Sequence, residues 1–197
     1  FADSRYAKAS LDVRAELENC GTKGGAAAVR LTLTDSNGKV VVKPVTVDGG
    51  NVGAGATAVV CAKLDVDSPS LWSADHPTLY TLDVEVLDGG GNVLEATAQQ
   101  VGFRDISFRN NKLYVNGVLT YLKGANRHDI HPKYGKALLV ETMVEDILLF
   151  KRNNMNTVRT SHYPNDPKMM ALYDYYGLYV VDEADQECHG NNTLSDN

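Results

Sequence analysis

Three short stretches hold most of the side chains able to do chemistry. The first is Gly124-Ala125-Asn126-Arg127-His128-Asp129-Ile130-His131-Pro132. The second is Arg159-Thr160-Ser161-His162-Tyr163-Pro164-Asn165, and the third is Asp182-Glu183-Ala184-Asp185-Gln186-Glu187-Cys188-His189-Gly190. Four of the five histidines lie in them. Neutral imidazole both donates and accepts hydrogen bonds, so His128 and His162 suit recognition of a polar ligand, although a lone histidine after a strand is more often a structural hydrogen-bonder. Arg159 reads equally as a satisfied interior charge or as the electrostatic partner of a carboxylate, and the two roles are compatible. Glu187 and His189 are two residues apart, so in extended chain both side chains point to one side and can share an ion. Magnesium prefers an octahedron of oxygens and keeps several waters, so this pair is an incomplete shell that needs a further carboxylate. The plain alternative is a surface loop with a chance Glu-x-His. Zinc bound with the help of Cys188 is disfavoured, because the middle residue of an extended triplet points the other way. His131, ahead of Pro132, reads as structural or peripheral.

The elements that must position these residues alternate. Asn156-Thr157-Val158 and Leu178-Tyr179-Val180-Val181 are short apolar runs that lead directly into the second and third stretches. Val140, Met143, Val144, Ile147, Leu148 and Lys151 fall on one helical face, with acidic residues early and Lys151 and Arg152 late, as the helix dipole prefers. Asn153-Asn154 stops that helix. Met169, Met170, Leu172 and Tyr173 mark a second one, capped by Gly177. Upstream, residues 106–108 and 113–115 form a small hairpin across Asn110-Asn111, and a tight turn at Asn116-Gly117 leads into residues 118–122. The whole reads as β-α-β-α-β with polar clusters at the carboxyl ends of parallel strands, which is how a β/α barrel builds its active face. Only three strands of an eight-stranded barrel are expected, and the polar tail 191–197 reads as a loop, so the chain is expected to stop within that domain.

From about Ser10 to Phe103 the hydrophobic period is two instead. Leu11, Val13, Ala15 and Leu17 alternate with polar residues, as do Val29, Leu31 and Leu33, then Leu82, Val84 and Val86. Turns are expected at Asp35-Ser36-Asn37-Gly38, at Asp48-Gly49-Gly50-Asn51 and at Asp88-Gly89-Gly90-Gly91-Asn92. Short strands with glycine-rich turns and no helical stretch predict an antiparallel β-sandwich of about 100 residues. Leu71, Trp72, Leu79 and Tyr80 are its expected bulky core residues. No cluster of titratable groups occurs here, so it reads as scaffold.

The fold class that follows is an immunoglobulin-like antiparallel β-sandwich over residues 1–104, then the first three β/α units of a TIM barrel over residues 105–197. A hydrophobic content of 43% suffices for packed cores. A net charge of -6 with no basic stripe argues against nucleic acid. No apolar run approaches the roughly 20 residues that span a bilayer, and the opening Phe1-Ala2-Asp3-Ser4-Arg5 lacks the apolar core of a secretory leader. Cys20, Cys61 and Cys188 do not make a disulfide framework, which favours a reducing compartment.

Taken together, the motifs resemble the family 2 glycoside hydrolases and, within them, the large bacterial β-galactosidases. The resemblance is carried by Gly124 to His128 with His131-Pro132, by Thr142-Met143-Val144-Glu145-Asp146-Ile147-Leu148-Leu149, by Arg159 to Asn165, and by Tyr176-Gly177-Leu178-Tyr179-Val180-Val181-Asp182-Glu183-Ala184. It reaches back through Leu71-Trp72-Ser73-Ala74 and Val101-Gly102-Phe103-Arg104. Glucuronide and mannoside hydrolases of the family share Ser161-His162-Tyr163-Pro164, whereas residues 126–132 and 187–190 lean toward the galactosidases. The resemblance implies that His128 and His162 line the sugar subsite, that Arg159 lies near the catalytic carboxylate, and that Glu187 and His189 bind an active-site magnesium, with sodium as a further ion. It implies a β-galactoside such as lactose as substrate, retention of configuration, self-association of the complete enzyme and a bacterial cytoplasmic location. A retaining enzyme needs two carboxyl groups about 5 to 5.5 Å apart. The family takes its pair from later barrel strands, so no catalytic carboxylate is expected within these residues, and Glu183 and Glu187 are poor substitutes. Asp129-Ile130 and Asp185-Gln186 depart from the commoner Glu-His and Asn-Ile, which bears on substrate preference. A non-catalytic binding module built on the sandwich is the rival reading.

Overall fold

The structure is a computed structural model that describes Phe1 and residues 5–185. The chain divides into two compact units, one formed by Phe1–Trp72 with Thr78–Ile106, the other by Ser73–Pro77 with the chain from Ser107 onward. No helix among the described residues is long and apolar enough to cross a membrane.

The first unit is the sandwich. Strands β1 (Lys8–Glu18) and β4 (Thr57–Asp67) form a two-stranded antiparallel sheet whose register runs without a break from Lys8 opposite Asp67 to Glu18 opposite Thr57. Strands β2 (Gly25–Thr34), β3 (Val40–Val52), β5 (Tyr80–Asp88) and β6 (Val93–Val101) form a four-stranded sheet in the order β3-β2-β5-β6. The period-two pattern does its work here: along β1, Ala9 and Leu17 are buried, Leu11, Val13 and Ala15 partly so, and every residue between them is exposed. Val29, Leu31 and Leu33 of β2 meet Val60, Leu64 and Val66 of β4 in one core with Tyr80, Leu82 and Phe103. Trp72 is buried beside Gly102, where an added Cβ would come within 3.1 Å of the Trp72 Cβ.

Two of the three expected turns form as their residues dictate. The Asp35 carboxylate accepts the amides of Asn37 and Lys39, the Asp88 carboxylate accepts those of Gly90 and Asn92, and Gly38 and Gly91 take positive φ. Asp48-Gly49-Gly50-Asn51 does not turn the chain. It lies inside β3, where Ala28 opposes Asp48 and Ala27 opposes Gly50, leaving Gly49 as the extra residue of a β-bulge with Gly50 at φ 72°. Glycine suits this bulge for a packing reason as well, since a Cβ on Gly49 would meet the Ala27 carbonyl and Leu17 Cδ1, each at 3.0 Å. The chain reverses instead around Gly55, also at positive φ.

The second unit opens with a three-stranded sheet of β7 (Ile106–Arg109), β8 (Lys112–Val115) and β9 (Val118–Leu119). Asn110 and Asn111 both take positive φ between β7 and β8, as a two-residue hairpin turn requires. Then come β10 (Gly124–Asn126), α1 (Val140–Arg152), β11 (Thr157–Arg159), α2 (Pro167–Tyr176) and β12 (Tyr179–Val181), with the three strands parallel and paired in chain order. The first parallel strand is therefore 124–126, not the expected 118–122. Small residues are selected there by contact: a Cβ on Gly124 would lie 1.8 Å from the Thr157 carbonyl oxygen. Met143 and Ile147 of α1, Met169 and Tyr173 of α2, and Val158 and Leu178 form the core of this unit. Val140, assigned to the apolar helical face by its spacing, is exposed, because it is the first residue of α1 and lies beyond the packed turns. Asp166 caps α2 by accepting the Lys168 amide ahead of Pro167, and Gly177 ends it in the left-handed conformation. Lys151 Nζ donates to the carbonyls of Ala74 and Gly177 at 2.8 and 2.9 Å, which fixes the end of α2 to the segment 73–77 of the same unit.

Candidate active site at the strand ends

Parallel pairing continues past the strands themselves. The Arg127 amide donates to the Arg159 carbonyl and the Thr160 amide to the Val181 carbonyl, which brings the three polar stretches side by side at one edge of the sheet. Thr160 then clamps the second stretch to the third. Its hydroxyl donates to Asp182 Oδ1 and accepts the Glu183 amide, each at 3.0 Å.

Above the clamp, Glu183 divides its carboxylate between two partners. Oε1 takes the Arg159 guanidinium in a close ion pair, and Oε2 lies 3.1 Å from His162 Nδ1. Arg159 also reaches Asn126 Oδ1 at 3.4 Å and stands 3.4 Å from the same His162 nitrogen. Partial burial pushes the Glu183 carboxyl upward, but the hydrogen bonds from His162 and Arg159 and their positive charge outweigh it and hold the group below the usual glutamate range. Glu183 is thus a held anion and not an available acid. The His162 ring stands edge to face against His128 with centroids 5.6 Å apart, and His128 is tilted toward Tyr163 at 5.8 Å. His128 is exposed and His162 half-buried, so the pair offers ring edges and ring nitrogens at an accessible surface.

Beneath lies a second, buried network that the sequence did not disclose. Arg127, 6% exposed, forks between Asp129 and Asp146 and approaches Asn165 Oδ1. Burial disfavours its charge, but the hydrogen bond to Asp129 and the surrounding carboxylates more than offset that and keep it protonated. Asp129 accepts the Asp166 amide with its other oxygen, and its own amide donates to the Tyr163 hydroxyl. The buried Tyr173 hydroxyl donates to Asn165 Oδ1, and burial pushes its ionisation upward. Among the described residues, Arg127 Nη2, Asn165 Nδ2 and Ser161 Oγ are buried with no hydrogen-bond partner.

Of the five residues singled out from the sequence, His128, His162 and Arg159 converge. Glu187 and His189 lie outside the described residues, as does Cys188. Among the described residues, no group of three or more histidine, cysteine, aspartate or glutamate side chains gathers to hold a metal ion. His131 stacks on Tyr134 and accepts the Lys133 amide at Nδ1, which is the local structural part expected of it. Glu183 is the residue whose importance the spacing understated, because nothing in sequence separation announces a carboxylate that returns to Arg159 and His162.

Residues 1–104 match the sequence model of the glycosyl hydrolases family 2, and residues 106–196 match that of the family's TIM barrel domain. This chain belongs to glycosyl hydrolase family 2. The strand-end cluster accordingly sits where a family 2 barrel carries its active face. Solved structures agree on the fold. The family 2 chain is similar to the β-glucuronidase of Bacteroides uniformis (TM-score 0.83, 25% identity), covering 88% of this chain and 21% of that one. It is similar to a Bifidobacterium dentium β-glucuronidase complexed with coumarin-3-O-glucuronide (TM-score 0.71, 29% identity), covering 80% of this chain and 25% of that one. A Bacteroides fragilis protein provisionally assigned as a β-galactosidase shares the fold at 22% identity (TM-score 0.84), with 90% of this chain and 26% of that one covered. This family 2 chain therefore spans about a quarter or less of the length of these structures.

Proposed function

We propose that this chain supplies the sandwich and the first barrel strands of a retaining glycoside hydrolase that removes terminal β-galactosyl residues. His128 and His162 contact the sugar hydroxyls, and Arg159 holds the electrostatics of the subsite through Glu183. The observation that carries the reading is the convergence of His128, His162 and the Arg159–Glu183 pair at the ends of β10, β11 and β12. Imidazoles arranged in this way suit hydroxyl groups, to which they can donate or from which they can accept. A neutral sugar is favoured because the two arginines at these strand ends are already bound by carboxylates, Arg127 by Asp129 and Asp146 and Arg159 by Glu183. The residues 126–132 and 187–190 support the same choice.

The reaction needs two carboxyl groups, one as nucleophile and one as acid/base. Glu183 is unsuited to either part, since both of its oxygens are engaged and its proton is held off at neutral pH. The catalytic pair in this reading comes from further barrel strands, and these 197 residues alone hydrolyse nothing. Glu187 and His189 remain the proposed magnesium ligands on their spacing and motif, and the ion would supply fixed positive charge beside the sugar.

A second reading, β-glucuronide hydrolysis, is favoured by the likeness to two β-glucuronidases at 25% and 29% identity. The test is a pair of nitrophenyl substrates, a β-galactoside and a β-glucuronide, offered to the protein encoded by the complete reading frame around this chain. Preferential galactoside turnover is expected. A preference for the glucuronide would replace the substrate, and turnover of neither would remove the enzymatic reading.

A further inference from the structure

Burial falls away strand by strand across the four-stranded sheet of the sandwich. Three rows of cross-strand partners share its inner face: Val29, Val86 and Glu95; Leu31, Val84 and Thr97; Leu33, Leu82 and Gln99. On β2 all three members are buried. On β5 Leu82 is buried while Val84 and Val86 are half-buried, and on β6 all three members are exposed. The opposing sheet has two strands only, and among the described residues β1 pairs with β4 on one side and with nothing on the other. The two-stranded layer therefore stops short of β6. Beside it runs a groove of about 630 Å³, walled by Val13, Ala15 and Leu17 of β1 and floored by Val84, Val86 and Thr97.

The open side of β1 defines what this groove can take. In an antiparallel pair every second residue directs its N–H and C=O toward the partner strand, so about half of the β1 amides and carbonyls face away from β4. Eleven residues in unbroken register, with no bulge to twist the edge aside, leave these groups in a straight row. Extended backbone is the chemistry that matches such a row along its length. The floor is apolar over β5 and polar over β6, so the incoming segment needs alternate side chains with apolar stems and polar ends, such as threonine, tyrosine or lysine. A second copy of this chain does not fit. An antiparallel pair about a two-fold axis keeps both core faces on one side, so the partner's four-stranded sheet would fall where this one already lies. The similar family 2 structures are covered over only 21 to 26% of their length, so a protein of that size has ample chain outside these residues to supply a strand. We propose that a further strand of the same polypeptide, from outside these 197 residues, lies in the groove, hydrogen-bonded to the open edge of β1 and covering Val84 and Val86.

Hydrogen exchange read by mass spectrometry tests this by comparing the 197-residue chain with the protein encoded by the complete reading frame around it. In the shorter chain, peptides from Lys8–Glu18 should show about half of their amides exchanging fast, the set turned away from β4. In the complete protein that fast set should be lost, leaving β1 as slow throughout as its β4-facing amides. Thr97→Trp, at an exposed position, obstructs the groove. In the complete protein it should bring the fast set back in Lys8–Glu18 while Thr57–Asp67 stays protected. A fast set that persists in the unmodified complete protein would overturn the proposal, and so would protection that Thr97→Trp leaves unchanged. Loss of the fast set from the shorter chain as its concentration is raised, with sedimentation showing a dimer, would assign the groove to a second copy and overturn it as well. Should Thr97→Trp fail to fold, the comparison of the two unmodified proteins still decides.

Discussion

The buried Arg127 network makes a demanding test of how the second unit is held together. Replacing Arg127 by methionine keeps most of the side-chain volume and removes the charge. Asp129, with a side chain 12% exposed, would then keep only the Asp166 amide on Oδ2 and lose the cation on Oδ1. Breaking a buried ion pair from one side costs about 3 to 5 kcal/mol. The lower end applies here, because Asp146, the other partner, is 38% exposed on its side chain and can turn to water. At about 2 to 4 °C per kcal/mol for a chain of this size, a loss of about 3 kcal/mol lowers the midpoint by roughly 6 to 12 °C. The helical circular-dichroism signal is the right probe, since both helices of the described residues, α1 and α2, lie in this unit. Adding Asp129→Asn to Arg127→Met removes the stranded charge and should restore part of the loss, by about 1 kcal/mol or more. A midpoint that moves by less than about 2 °C in the single variant, or a double variant no better than the single, would refute the account of a charge held by its partners.

Three further outcomes follow from the packing. Gly177→Ala should cost more than about 1 kcal/mol, because the residue sits at φ 79° and the new Cβ would lie 2.4 Å from the Ala74 carbonyl oxygen; urea unfolding followed by the helical signal measures it. Leu33→Ala, at a site with no exposed surface, should destabilise the sandwich by about 2 to 5 kcal/mol, read from the fluorescence of the single tryptophan, Trp72. Glu183 titrates below the usual glutamate range when folded, so its contribution to stability is fully present above that range and is lost as pH falls through its depressed value. Urea midpoints of Glu183→Gln should therefore fall less steeply than those of the unmodified chain across that acidic window, and parallel curves would contradict the assignment.

How far the sequence disclosed this structure depended on whether a signal was local or contact-borne. Alternation along β1 and β2, the aspartate-led turns at Asp35 and Asp88, the paired asparagines at 110–111 and the proline-to-glycine span of α2 are local, and each element formed where its residues placed it. The bulge at Gly49-Gly50 has the composition of a turn and differs only in what faces it, namely Leu17 and Val60 on other strands. Strand β10 was hidden for the same reason: Gly124 and Ala125 have no strand propensity to show, and it is the Thr157 backbone pressing on Gly124 that dictates them. In the candidate site, His128, His162 and Arg159 were legible as types in a pattern. Glu183's double engagement was not, because it depends on two strands closing side by side over Thr160.

The extra residue in β3 also sets how this strand tolerates insertion and loss. Val45 and Val47 turn toward the core on odd positions, yet the buried residue at the end of the strand is Val52, an even position. Gly49 is the residue that changes the parity between them. Deleting Gly49 alone would remove the bulge and leave Val52 opposite Gly25 on the core side, in strict alternation with Val45 and Val47. Deleting Gly49 together with one neighbour would swing Val52 outward and bring Asn51 in. The strand thus counts residues modulo two, and a loss of two residues is more damaging there than a loss of one.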